Sequence, residues 1–138
     1  MSARYRVIEL YSGIGAWTQA FMKINLNFEI VYAYDINPVA NISYYSNYKI
    51  HPNARSVEKV SLQQMEEWNA DIWVMSPPCQ PHTRNNTTSN RDINDPRSNS
   101  LLHIISLLGE AQNLPKFIFL EVVIVLFCFF TFIECCWI

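Results

Sequence analysis

Four short apolar runs, each cut off by turn residues and separated by stretches of helical periodicity, constrain this chain more than anything else in it. Tyr5 to Tyr11 runs straight into Ser12-Gly13-Ile14-Gly15, the way a buried parallel strand passes into a helix. Ala16 to Ile24 follows, with Ala16, Ala20, Lys23 and Ile24 at helical intervals and Trp17 four residues before Phe21. A second run, Glu29 to Tyr34, stops at Asp35, and Pro38 suits the first position of a helix continuing over Val39 to Tyr48. Ser61 and Gln64 form a capping-box pattern at the head of a further helix. Asp71 to Met75 is the third strand, stopped by Pro77-Pro78. Leu101 to Leu108 predicts a short amphipathic helix ending at Gly109, and Lys116 to Val123 a fourth strand. This alternation predicts an α/β domain with a mainly parallel sheet and right-handed crossovers. A chain of 138 residues has room for one such domain or part of one.

Composition then removes several function classes. Ten Lys and Arg against 12 Asp and Glu give a formal charge of -2 and a pI near 5.9, which argues against nucleic-acid binding through a global positive field. A local basic groove stays open. Cys79, Cys128, Cys135 and Cys136 include no C-x-x-C pair, and three of them crowd the end of the chain, so no disulfide framework is expected. That pattern and an N-terminus without an apolar signal region predict a cytoplasmic protein, with the nucleus as a second compartment. From Pro81 to Ser100 Ile93 is almost the sole apolar residue, which reads as a functional loop or a disordered one. Phe117 to Ile133 is apolar apart from Glu121 and Thr131. Its uncharged part, between Glu121 and Glu134, falls short of the roughly 20 residues a membrane helix needs, so a membrane anchor is disfavoured.

In an open parallel sheet, ligands sit beyond the carboxyl ends of the strands. The first strand end carries Gly13 and Gly15, which let backbone N–H groups approach a ligand, although a plain tight turn uses the same residues. The second carries Asp35, whose carboxylate can accept both hydroxyls of a ribose or simply cap a helix. Together they favour an adenosine-containing ligand. The spacing is not the dinucleotide fingerprint, because Thr18 occupies its third glycine position, and this disfavours an NAD-dependent oxidoreductase. The third strand end leads through Ser76-Pro77-Pro78 to Cys79, a thiol held by two rigid residues beside a polar loop. An inert buried cysteine is the bland alternative. Glu121, the one charge of the fourth run, belongs at the same edge, as a general acid, a hydrogen-bond partner or a solvent-facing strand end.

The segments ELYSGIGAW, YDINPVAN, DIWVMSPPCQPHTR and DPRSNSLLHI…LPKFIFLEVV resemble the successive motifs of cytosine-5 methyltransferases. Within that family they are most similar to the DNA methyltransferase-2 branch, whose members methylate a cytosine in the anticodon loop of tRNA-Asp. The resemblance covers Tyr5 to Val123. It implies a Rossmann-like fold that binds S-adenosylmethionine and acts on nucleic acid, tRNA first and DNA as runner-up, with no metal. By the same resemblance Tyr11, Ser12, Gly13, Ile14 and Gly15 would cradle the methionine part of the cofactor. Asp35 would take the ribose, Ile36 the adenine, Val57 and Glu58 the next cofactor segment, and Ser76 would lie beneath. Cys79 would be the nucleophile toward C6 of cytosine, and Glu121 would contact N3 and the exocyclic amine. Ala16, His82 and Val122 depart from residues usual in the family (Gly, Phe and Asn). Beyond Val123 the likeness ends, so the expectation is a truncated methyltransferase domain over residues 1–123 and a foreign apolar tail over 124–138. The alternative of a different class is a catalytically dead fragment that binds cofactor or a partner.

Overall fold

The computed structural model describes residues 4–78 and 98–121. Cys79, the polar stretch to residue 97, and the apolar tail from Val122 onward lie outside the described residues. In chain order the elements are β1 (Tyr5–Leu10), α1 (Ala16–Lys23), β2 (Phe28–Tyr34), α2 (Pro38–Tyr48), a 3-10 turn (Val57–Lys59), α3 (Leu62–Glu67), β3 (Ile72–Met75), α4 (Asn99–Glu110) and β4 (Phe117–Leu120). The strands form one sheet in the order β2-β1-β3-β4, and every neighbouring pair is parallel. The chain therefore leaves β1 toward β2, then crosses back over β1 to lay down β3 and β4. The carboxyl ends of β1 and β3 flank the point where that direction reverses, which is where such sheets bind ligands.

Period-2 alternation sorts the sheet residues between two cores. Ile8, Leu10, Trp73 and Met75 face one way and are buried with Met65 and Trp68 from the α3 region and Ile104 and Leu107 from α4. Val7, Ile72 and Val74 face the other way and pack on Phe21 of α1. Helices thus cover both faces of the sheet. The inner strand β3 is buried along its whole length, whereas Phe117, Ile118 and Phe119 of β4 are each close to half exposed.

Local chemistry explains where the elements begin. Asn37 accepts the N–H groups of Val39 and Ala40, with Pro38 at the first helical position of α2. Ser61 and Gln64 close the expected capping box on α3. Each such cap is worth about 1 kcal/mol. Boundaries differ from the sequence reading at α4 and β4: β4 is the shorter Phe117–Leu120, and α4 starts at Asn99 and runs through Gly109 to Glu110, with the following Ala111 N–H on the Leu107 carbonyl. The buried stripe Leu101, Ile104 and Leu107 outweighs the roughly 1 kcal/mol that glycine costs in a helix. Among the described residues no helix is long and apolar enough to cross a membrane.

Candidate active site

The chain leaves β1 through three residues in left-handed conformation, Tyr11 (φ 57°), Gly13 (φ 52°) and Gly15 (φ 92°). The two glycines serve different ends. A side chain on Gly13 would meet nothing within 4 Å, so its bareness leaves open space above the turn. A side chain on Gly15 would run into the ring of Tyr48, whose hydroxyl donates to the Gly15 carbonyl at 3.0 Å. Gly15 is thus a packing glycine between the head of α1 and the side of α2.

Asp35, just past β2, is held by main chain. Its Oδ2 accepts the Gly13 N–H at 2.8 Å and its Oδ1 the Asn37 N–H at 2.8 Å. Its own N–H donates to the Asn53 carbonyl, and its carbonyl accepts from the Asn41 amide. An ionised carboxylate offers about four lone-pair sites, so about two remain for a ligand.

These residues border a cleft of about 470 Å³ across the carboxyl ends of β1, β2 and β3. That falls within the roughly 300–1,000 Å³ of small-molecule sites. Tyr11, Gly13, Asp35, Ile36, Val57, Glu58 and Ser76, all singled out in the sequence, line it. Ser12, Ile14 and Gly15 lie outside the lining. Ser12 is buried and its N–H goes to the Tyr34 carbonyl, Ile14 is 62% exposed, and Gly15 packs on Tyr48. The buried Ser12 hydroxyl has no hydrogen-bond partner among the described residues.

Tyr34, Arg55, Ser56, Pro78 and Ser100 also line the cleft without having been anticipated. Tyr34 ends β2 and was open to the same strand-end argument as Asp35. No local signal marks Ser100: it reaches the site from α4 and accepts the Tyr11 hydroxyl at 3.1 Å. Burial pushes the Tyr11 phenol up to about 12, so it stays a neutral donor near neutral pH. Ile36 is 69% exposed at the cleft wall, an apolar surface that a flat ring would cover. The wall therefore offers backbone-anchored carboxylate, apolar cover and open space above Gly13, a set suited to a vicinal diol attached to an aromatic base.

At the other end of the edge, Ser76 follows β3 and Glu121 follows β4, joined by the Glu121 N–H to the Met75 carbonyl. The Ser76 hydroxyl donates to Glu121 Oε2 at 3.2 Å and accepts the Trp17 indole N–H at 2.9 Å. Cys79, three residues past Ser76, lies outside the described residues.

Beneath the turn sits a carboxyl with no direct part in the cleft. Glu9 of β1 is fully buried, and its Oε2 accepts the Thr18 hydroxyl at 2.6 Å and the Tyr44 hydroxyl at 2.8 Å. Those two hydroxyls are also 2.8 Å apart. With Glu9 ionised, the two hydroxyl protons fill only two of these three contacts; a protonated Glu9 would donate to one hydroxyl and accept from the other, leaving the first hydroxyl's proton free for the second. Burial raises the Glu9 carboxyl above its ordinary value, in line with that count.

Residues 5–127 match the family model for C-5 cytosine-specific DNA methylases. The tRNA (cytosine(38)-C(5))-methyltransferase of Bos taurus is 42% identical over 118 residues, covering 84% of this chain and 29% of the relative. A DNA (cytosine-5)-methyltransferase of Dictyostelium discoideum is 35% identical over 84% of this chain and 30% of its own length. Among solved structures, the S. pombe Dnmt2 methyltransferase superposes with a TM-score of 0.75 at 37% identity, over 88% of this chain and 35% of that one. The Entamoeba histolytica methyltransferase EhMeth gives 0.80 at 37% identity, over 90% and 39%. The chain thus spans about a third of the length of the relatives it matches.

Proposed function

Because this chain belongs to the C-5 cytosine-specific DNA methylase family, we propose that it carries the cofactor-binding and nucleophile-bearing part of a cytosine-5 methyltransferase that uses S-adenosylmethionine. The observation that carries the reading is the Asp35 carboxylate, clamped by the Gly13 and Asn37 N–H groups at the mouth of a cleft walled by Ile36 and Ser76. Asp35 would take the ribose hydroxyls, Ile36 would cover the adenine, and Tyr11, Gly13, Val57 and Glu58 would complete the walls. S-adenosylmethionine, when bound, supplies an electrophilic methyl group on a sulfonium sulfur.

The remaining chemistry belongs to side chains. Cytosine C5 is a poor nucleophile. Addition of the Cys79 thiolate to C6 opens the C5=C6 double bond and places electron density on C5, as in an enamine. Glu121, donating a proton to N3 and accepting from the exocyclic amine, would neutralise the charge that develops on the ring. Once C5 has taken the methyl group, water takes its proton, the C5–H electron pair restores the C5=C6 double bond, and the Cys79 sulfur leaves C6 as a thiolate. The base has to leave its stack to be reached. A cytosine in tRNA is the favoured substrate, since relatives named as tRNA (cytosine(38)-C(5))-methyltransferases are 39–44% identical, against 35% for a DNA (cytosine-5)-methyltransferase. The cytoplasm is the compartment that goes with that substrate.

Calorimetric binding of S-adenosylhomocysteine tests the cofactor reading. Asp35→Ala is expected to abolish binding and Cys79→Ala to leave it intact; equal loss in both, or preference for NAD, would overturn it. Transfer of a tritiated methyl group to tRNA or to DNA tests the substrate. Label in DNA alone would reverse the order. Binding without transfer to either would make the chain a cofactor-binding fragment.

A further inference from the structure

The site hydrogen bonds have a fixed direction at the β3–β4 end of the cleft. An indole N–H can only donate, so the bond from Trp17 Nε1 to Ser76 Oγ runs one way, at 2.9 Å. With the indole N–H directed at the Ser76 oxygen, the Ser76 proton goes to Glu121 Oε2 at 3.2 Å. Both ends of the Ser76 hydroxyl are thereby used, and each bond polarises the next. Trp17 is itself braced: its ring lies 5.9 Å from that of Phe119, two residues before Glu121, and 6.3 Å from that of Phe21. One side chain thus touches β3 through its N–H and β4 through its ring, at the carboxyl end of both strands.

We infer that Trp17 is a positioning residue, which fixes the rotamer of the Glu121 carboxylate through Ser76. Glu121 is exposed at the end of a half-exposed edge strand, where nothing else among the described residues donates to its side chain. The relay restricts the rotamers of that carboxylate, and catalytic hydrogen bonds depend on a fixed geometry. This role in catalysis rests on the proposed methyl transfer, with Glu121 as the group that contacts the cytosine; the relay itself does not.

The test reads the Trp17 indole N–H by ¹⁵N-correlated NMR in the full chain, the resonance being identified by its loss in Trp17→Phe. Ser76→Ala is expected to move it upfield and to speed its hydrogen exchange at least tenfold, and Ser76→Thr to restore both. Glu121→Ala is expected to move it as well, although Trp17 donates no hydrogen bond to Glu121, because the Ser76 hydroxyl loses its acceptor. An indole signal unmoved by Ser76→Ala or by Glu121→Ala would overturn the relay. In the transfer assay Trp17→Phe, which keeps the ring packing, is expected to lower kcat about tenfold with S-adenosylhomocysteine affinity within twofold of the parent. An unchanged kcat would overturn the positioning role. Absence of transfer in the parent chain, with the indole responses as expected, would count against the proposed function and leave the relay standing.

Discussion

At the β1–β2 half of the carboxyl edge, the strand-end carboxylate is held by main chain; at the β3–β4 half, it depends on side chains. Asp35 receives backbone N–H groups from Gly13 and Asn37, on both sides of its own strand end. Among the described residues the Glu121 side chain receives one hydroxyl proton, and the hydroxyl that gives it is oriented by an indole from another element. The strands below differ in the same sense. Val7, Ile8, Glu9 and Leu10 of β1 are completely buried, while β4 exposes close to half of each phenylalanine. A backbone anchor survives most substitutions around it, because it asks only that the turn keep its shape. A side-chain relay can be cut at any link.

The largest effect is therefore expected where a substitution destroys the turn itself. Gly15→Ala places a Cβ against the Tyr48 ring in a backbone conformation at φ 92°, and unfolding in urea should show a loss of about 2–4 kcal/mol. Gly13→Ala meets open space and bears only the left-handed strain, about 1 kcal/mol. Adding Tyr48→Ala to Gly15→Ala should recover the steric share. Equal losses at the two glycines would erase the distinction between a packing glycine and one that faces open space.

The proton beneath the turn sharpens the comparison at intermediate size. Glu9 is raised above its ordinary value of 4.5 by burial, so the folded chain holds a proton that the unfolded chain releases. Its stabilising contribution is complete below about pH 4.5 and is lost as pH rises through the raised value. Over that window it tilts stability by at most about 1.4 kcal/mol per pH unit. Glu9→Gln cannot ionise and should remove this tilt from stability measured between pH 4 and 8, whatever its absolute stability. An unchanged slope would mean that Glu9 is ionised in the core.

The smallest effect belongs to the outer edge. Lys116 pairs with Asp71 Oδ1 at 2.7 Å, and Asp71 Oδ2 accepts the Arg6 N–H at 2.9 Å, tying the starts of β4, β3 and β1 together. The backbone bond and the ammonium hold the Asp71 carboxyl below its usual range. Lys116 is 68% exposed, so Lys116→Ala should lower Tm by roughly 2 °C or less, and by nothing measurable near 1 M salt. A larger drop would show that β4 depends on its tethers even more than the exposed phenylalanines imply.

Much of this architecture was legible from the residues alone. Apolar runs ending at Gly13, Asp35 and Pro77 announced the strands and which ends mattered, and the Ser61–Gln64 pair announced a helix start that the structure caps as expected. Seven of the residues proposed for the cofactor line the cleft. The misses share one cause. Gly13 and Gly15 look alike in sequence, and only the packing of α2 against α1 makes one a filler and the other a gap. Gly109 read as a stop, yet α4 continues because its buried stripe is fixed by the sheet beneath it.

The sequence by itself determined everything that short-range physics decides: the order of strands and helices, the caps, the left-handed glycines, and an acidic residue after β2. Tertiary structure alone decided which distant groups meet. Trp17 reaches a serine 59 positions away and Tyr11 one 89 positions away. Those meetings follow from the strand order β2-β1-β3-β4, which brings the ends of separate strands to one rim. No local pattern encodes them, because the free energy that fixes the strand order is the burial of two sheet faces shared by the whole chain.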